Sequence, residues 1–446
     1  MRIHRRNFLF LAGASLLRAE DRPKRDMLVR SVRPEDLEMP FPGFSDYITP
    51  IEHFFVRTHV YVPKVNPDSW RLKIEGEVAT PLTLTMEDLK KLSPVELVTV
   101  VECAGNGRGL YEPPVPGLQW GSGAVGNARW KGARLVDVLK RAGIKDTAQE
   151  ILFDGADVPL GNMPDFQRSI PVKKALDSNT MLAYEMNGET LPVKHGFPLR
   201  VVASGSIRVL DKEFDGFWMK GSYRHPGKPV APGTAVPMEQ MQPVTSLHVK
   251  SVIAAPLDGA QALAGKPLAI QGVAWSGDAG PVTAVDVSVD GGRTWKPAAL
   301  HPEQRTPFGW RQWELKWTPP QEAYYTVLAR ARDAAGNTQP LDQEWNPSGY
   351  EWNVVPRVSV DVVKELSAAP RTAPQPSPNL AQPAALKGPC AVCHDDDVIR
   401  QQRLTRAQWD REINKMAGWG AKVKDEDRAG LLDYLFTNYG PRPRNR

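Results

Sequence analysis

Apolar and polar positions follow three different rhythms along the chain, and the changes of rhythm mark its domains. In the first stretch, Trp70-Arg71-Leu72-Lys73-Ile74-Glu75-Gly76 alternates with period two and predicts a strand. Residues 85–89 place a threonine cap before acidic residues and predict a short helix. Residues 135–142 have the 3.6-residue spacing of a second helix, and 199–203 form an apolar run expected to be a buried strand. This mixture over 26–240 predicts an α+β domain. From 244 to 356 the helical rhythm is gone. Alternating runs recur at 267–273, 283–289, 313–317 and 324–332, and Asp290-Gly291-Gly292 supplies a hairpin turn. That spacing predicts an immunoglobulin-like β-sandwich. Residues 366–386, rich in proline and alanine, read as a linker with an extended reach of roughly 50 Å. The remaining 387–446 predict a small all-α domain with helices over 405–416 and 425–436.

One apolar run ends in chemistry. Val100-Val101-Glu102 stops at Cys103, and Ala104-Gly105-Asn106-Gly107 follows, small turn-forming residues that let backbone approach a ligand. A lone cysteine is more often a packed core residue. The chain has only 3 cysteines, however, and the other two belong to Cys390-Ala391-Val392-Cys393-His394. That spacing is the attachment pattern of a c-type haem, with His394 as an axial ligand of the iron. A zinc site would need further Cys or His ligands, and none follows His394. A thioredoxin-like dithiol would need a βαβ surround where this tail is helical. Met416, the single methionine of the tail, is the expected sixth ligand. A tethered haem is an electron outlet, so a second redox centre is expected in the larger part. Cys103 is the soft ligand left to hold it.

Composition narrows the setting. A chain of 446 residues, 41% hydrophobic and 24% charged, fits a soluble protein of two to four domains. Its net charge of +5 is not gathered into a Lys/Arg block that would argue for nucleic acid, and suits a small anionic substrate. No apolar stretch is long enough to span a bilayer. Arg5-Arg6-Asn7-Phe8-Leu9, with the apolar run over 8–17, makes residues 1–25 a twin-arginine signal and the periplasm the expected location.

With these residues in view, the chain resembles the sulfite oxidase family of molybdenum enzymes. Glu102-Cys103-Ala104-Gly105-Asn106 is similar to the cysteine motif of that family. Phe54-Phe55-Val56-Arg57-Thr58-His59, Gly117-Leu118-Gln119-Trp120 and His195-Gly196-Phe197-Pro198-Leu199-Arg200 extend the likeness. So do Val287-Ser288-Val289-Asp290-Gly291-Gly292 and Trp310-Arg311-Gln312-Trp313, and it covers roughly residues 41–356. The tail resembles the cytochrome subunit that partners bacterial sulfite dehydrogenases.

The resemblance implies a Mo-molybdopterin cofactor with Cys103 as metal ligand. His59, Asn106, His195 and Arg200 would hold the pterin and its phosphate. Arg57, Arg108, Trp120, Tyr223 and Arg311 would surround a sulfite or related sulfur anion. A dianion leaving water needs fixed positive donors, which suits the arginines independently. The expected activity is oxidation of sulfite to sulfate, with electrons passing through haem c to an external cytochrome c, in a homodimer joined through the sandwich. Two alternatives stand beside it: a sulfane dehydrogenase acting on protein-bound sulfur, and an electron-transfer protein with a degenerate molybdenum site. The second draws on a departure from the family. After Val201-Val202-Ala203-Ser204-Gly205 a loop that touches the pterin in relatives is missing, which puts part of the cofactor cradle in question.

Overall fold

A computed structural model describes residues 24–200, 206–367, 386, 390 and 393–441. The twin-arginine segment up to residue 23, the linker proper and the stretch after Arg200 lie outside the described residues. Among those described, no helix is long and apolar enough to cross a membrane.

The first domain is built mainly from two sheets. The four-stranded one runs Glu189–Thr190, Met181–Met186, Val125–Arg134 and Pro94–Glu102. The five-stranded one runs Leu82–Leu84, Leu72–Gly76, Ser206–Leu210, Glu150–Asp154 and Gln167–Pro171. Leu72, Ile74, Ile151, Ile207 and Val209 are buried between them and the helix Leu135–Ala142, in one continuous core. That helix matches its predicted bounds, starts without a side-chain cap and stops at Gly143, whose φ of 67° suits glycine. The expected helix at residue 85 is present as Met86–Lys90, with Thr85 and Asp88 forming a reciprocal capping box. The run at 199–203 is described only to Arg200, which makes an isolated bridge with Ala183. The strand Ser206–Leu210 resumes at the centre of its sheet, parallel to Leu72–Gly76 in the register Ser206↔Lys73. The sheet is therefore continuous beyond the departure from the family.

Two expectations change. The first domain is mostly β with few and short helices, which shifts the balance of the α+β class. The sandwich also extends past residue 356. Arg357–Val363, a clean alternation of polar and apolar residues, lies between Ala260–Leu263 and Ala323–Asp333 in its five-stranded sheet. The facing sheet orders Lys250–Ala255, Leu268–Trp275, Arg311–Trp317 and Ala299–Leu300. Ile270, Val285, Trp313, Val327 and Val360 fill the space between the sheets.

Sandwich and first domain are joined by burial. Phe44, Val100 and Val125 share a core with Val252, Val273, Trp275 and Trp310. A charged tie crosses the same seam. Glu102, at the end of the Cys103 strand, accepts from Lys250 Nζ at 2.6 Å, Trp275 Nε1 at 2.8 Å and Asn106 Nδ2 at 2.8 Å. The tail packs Trp409, Ile413, Leu431 and Leu435 into a small core of its own. Its main helices run Arg406–Gly418 and Asp425–Tyr439, slightly longer than expected.

Candidate active site

The strand Pro94–Glu102 delivers Cys103 to the wall of a cavity of about 530 Å³. The cysteine amide bonds to Ala124 O at 2.9 Å, which anchors the loop where the strand ends. Six residues singled out from sequence line this one cavity: Arg57, His59, Cys103, His195, Arg200 and Tyr223. Burial pushes the Cys103 thiol up and Arg57 pulls it back, so a bound cation would displace the proton and take the thiolate.

Charge around the cavity is predominantly positive. Burial works against the Arg57 guanidinium, yet Asp36, 3.1 Å away and buried, holds it above its ordinary range. Arg200 is pushed down to about 10 by burial alone, donates to His195 O at 3.1 Å and lies over the Trp130 ring. Arg168 is lowered by burial too and stacks 4.4 Å from the centroid of Tyr223. Neither Arg168 nor Arg200 has a carboxylate partner among the described residues. Two half-buried cations without counter-charges favour an anionic occupant.

The histidines carry no charge. His59 is held well below the usual imidazole range by burial, with Arg57 and Arg168 adding to it. Its Nε2 meets Tyr223 Oη at 2.7 Å and its ring stacks on Phe166 at 3.9 Å. Tyr223, at φ 53°, has its hydroxyl raised by burial and stays protonated. His195 is likewise neutral by burial, with Lys24 Nζ 2.8 Å from its Nε2. The ammonium is the donor there, so His195 keeps its proton on Nδ1.

Four residues expected at the site stand elsewhere. Asn106 is used up structurally: Oδ1 accepts from Ala124 N at 3.0 Å and Nδ2 serves Glu102. Trp120 is fully buried in the core with Phe54 and Trp130, because the Gly117–Trp120 turn folds it inward. Arg108 is not on the cavity wall. Its guanidinium donates to Leu118 O and Ser348 O and lies 4.9 Å from the Tyr350 ring centroid. It occupies room left by glycines, since a Cβ on Gly105 or Gly117 would come within 2.7 or 2.9 Å of its Nη1. Arg311 pairs with Ala274 on the sandwich and donates to Val282 O and His301 O, which directs it away from the cavity.

Sequence reading missed Arg168, Phe166, Asp36 and Lys24. None of these carried a clear signal; Arg168 sits in the short strand Gln167–Pro171, which shows no alternation. A second cavity of about 170 Å³ lies in the tail. Cys390, His394 and Met416 line it together with apolar Trp409, Ile413 and Leu435. Cys393 is half-buried one residue before His394. Met416 lies inside the last turns of its helix rather than after it. His394 Nδ1 is 2.9 Å from Asp395 O, which leaves Nε2 for a metal.

The family models for the oxidoreductase molybdopterin binding domain and the Mo-co oxidoreductase dimerisation domain match residues 59–211 and 241–363. These domains define a molybdopterin-binding oxidoreductase. The chain is 36% identical over 359 residues to sulfite oxidase of Gallus gallus, covering 74% of this chain and 77% of that protein. It is 36% identical over 361 residues to mitochondrial sulfite oxidase of Rattus norvegicus, covering 75% of this chain and 65% of the relative. The chain belongs to the sulfite oxidase family. It spans just under two thirds of the rat protein's length, the 65% above. The crystal structure of the sulfane dehydrogenase SoxCD from Paracoccus pantotrophus is also similar, with TM-score 0.63 and 26% identity over 80% of this chain and 93% of that one.

The donors fit the cofactor. Among the described residues no group of three His, Cys, Asp or Glu side chains is placed to hold a metal, so a metal at Cys103 would need most of its ligands from a cofactor. A dithiolene-bearing pterin would supply the remaining sulfur ligands, and its phosphate would neutralise a buried arginine.

Proposed function

We propose that this chain oxidises sulfite to sulfate at a molybdenum centre and sends the electrons through a fused c-type haem to an external cytochrome c. One observation carries the reading: a single large cavity joins the Cys103 thiol to Arg57, Arg168 and Arg200. Such a site takes a small dianion beside a thiolate-bound metal. Bound molybdenum supplies oxygen transfer and two-electron storage. The protein does the rest. Arg57, held charged by Asp36, and Arg168 orient the anion. Tyr223, kept protonated and bonded to His59, donates a hydrogen bond without adding charge. Arg200 and His195 hold the pterin side. Sulfite and one water give sulfate, two protons and two electrons.

The tail supports the outlet. Two cysteines and a histidine at haem-attachment spacing, with Met416 on the same apolar cavity, suit haem c ligated by His394 and Met416. The twin-arginine pattern in 1–25 supports export to the periplasm. The dimerisation domain at 241–363 supports a homodimer through the sandwich. The test is turnover of sulfite with oxidised cytochrome c by protein loaded with molybdenum and haem; absence of turnover overturns the reading. The likeness to SoxCD favours a second substrate, sulfur bound to a carrier protein. Comparing the two substrates on one preparation separates them.

A further inference from the structure

The tail is not held only by its linker. Its segment 395–402 is bonded to the first domain along two stretches. Asp395 N donates to Arg33 O at 3.1 Å, and Val32 N donates to Asp397 Oδ2 at 2.7 Å. Gln401 bonds to Arg30 O and accepts from Gln119 N at 3.4 Å. Gln402, 5% exposed, forms a reciprocal pair with Gly117, accepting from its N–H at 3.3 Å and donating to its carbonyl at 2.8 Å. Farther along the tail, Trp419 packs against Phe217 and Trp218, and its carbonyl accepts from Asn162 N at 3.2 Å. Sidedness is what matters here. Gly117 is itself part of the wall of the tail cavity that holds Cys390, His394 and Met416. Val398, on that same wall, packs against the core of Leu118 and Trp120, against which Cys103 packs as well. The Arg108 side chain lies against both Gly117 and Gly105 of the Cys103 loop, and it donates to Leu118 O.

We propose that segment 395–402 and the Gly117–Gln119 turn form an electron-transfer interface, in which the tail seats its cavity beside the Cys103 loop with Arg108 bridging the two. The inference rests on the proposed function and deepens it, because it assigns the surface through which that site is emptied. Two electrons leave per sulfite. They are taken singly by the haem iron and then by an external one-electron acceptor of the cytochrome c class. Arg108 becomes a positioning residue: it fixes the loop after Cys103 against the turn that meets the tail. Amide and guanidinium groups in van der Waals and hydrogen-bond contact give a compact path, whereas a tail swung out on its linker would place water between the centres. Along segment 395–402 the two sides meet mainly through hydrogen bonds of Asp395, Asp397, Gln401 and Gln402 rather than through a large apolar patch. A seat of that kind opens and closes.

The experiment uses the full chain carrying both cofactors. Hydrogen exchange of the Gly117 and Gln119 amides is measured in the wild type, and reduction of the haem by sulfite is followed by stopped flow. The comparison variant is Arg33→Ala/Gln401→Ala, which removes the ion pair of Arg33 with Asp395 at 3.3 Å and the side-chain bonds of Gln401 to Arg30 O and Gln119 N, while touching neither cavity. The expected result is protected amides in the wild type, faster exchange in the variant and haem reduction slowed about fivefold or more, with sulfite turnover by a small soluble oxidant unchanged. Free exchange of both amides in the wild type, or unaltered haem reduction in the variant, overturns the interface. A failure of the functional reading looks different: no sulfite turnover with either acceptor, while the amide protection remains.

Discussion

Cys103 combines two properties, a place at the end of the strand Pro94–Glu102 and an opening onto a large cavity. Its thiol is raised by burial, so it stays protonated until a metal displaces the proton. Cys103→Ser should abolish molybdenum retention, measured by elemental analysis, and leave the haem absorption bands intact. Arg168 tests the anion site. It is half-buried, without a carboxylate partner among the described residues, and stacked on Tyr223. Arg168→Gln removes a charge-assisted contact to a desolvated anion, and KM for sulfite should rise about tenfold or more in steady-state assays. Arg311→Gln should leave KM unchanged, because its guanidinium is spent on carbonyls of the sandwich.

Among elements, the strand ending at Glu102 depends on a partner in the other domain. The side chains of Lys250 and Glu102 are both buried, and removing Lys250 leaves Glu102 with two neutral donors but no counter-charge. Lys250→Met should destabilise the protein by about 3–5 kcal/mol, read from denaturant unfolding, and loosen the Cys103 loop with it. A second tie responds to pH. His225 Nδ1 lies 3.0 Å from Glu351, whose backbone N–H bonds to Ala104 O beside Cys103. The hydrogen bond to Glu351 raises the imidazole above its ordinary value against the effect of burial. A raised folded-state value means the stabilisation is fully present below about pH 6.5 and fades as pH climbs through the folded value. Urea midpoints should therefore fall across that rise in the wild type, and Glu351→Gln should remove this component.

At the scale of the whole molecule, three units are arranged so that the first carries the large cavity, the sandwich braces its cysteine strand, and the tail lies against the Gly117–Gln119 turn. Elemental analysis of the loaded protein should return one molybdenum and one iron per chain. Sedimentation should give twice the chain mass if the sandwich is the dimer surface.

Much of this was legible in the sequence. The periodicities of 72–76 and 135–142 and the hairpin at Asp290 are local, and local sterics and hydrogen bonding decide them. The same holds for Cys103 at its strand end. What the sequence could not decide was direction across distance. Whether Arg311 turns toward the cavity depends on which face of its strand meets the other sheet, and its pairing with Ala274 turns it away. Arg168 became a site residue only when its strand settled at the sheet edge beside Tyr223. Gln402 meets Gly117 across 285 residues of chain, a pairing with no local signature. Elements follow from the order of residues because their bonds join near neighbours. The cavity, its charge and the seat of the tail follow from packing, which alone fixes where each side chain ends.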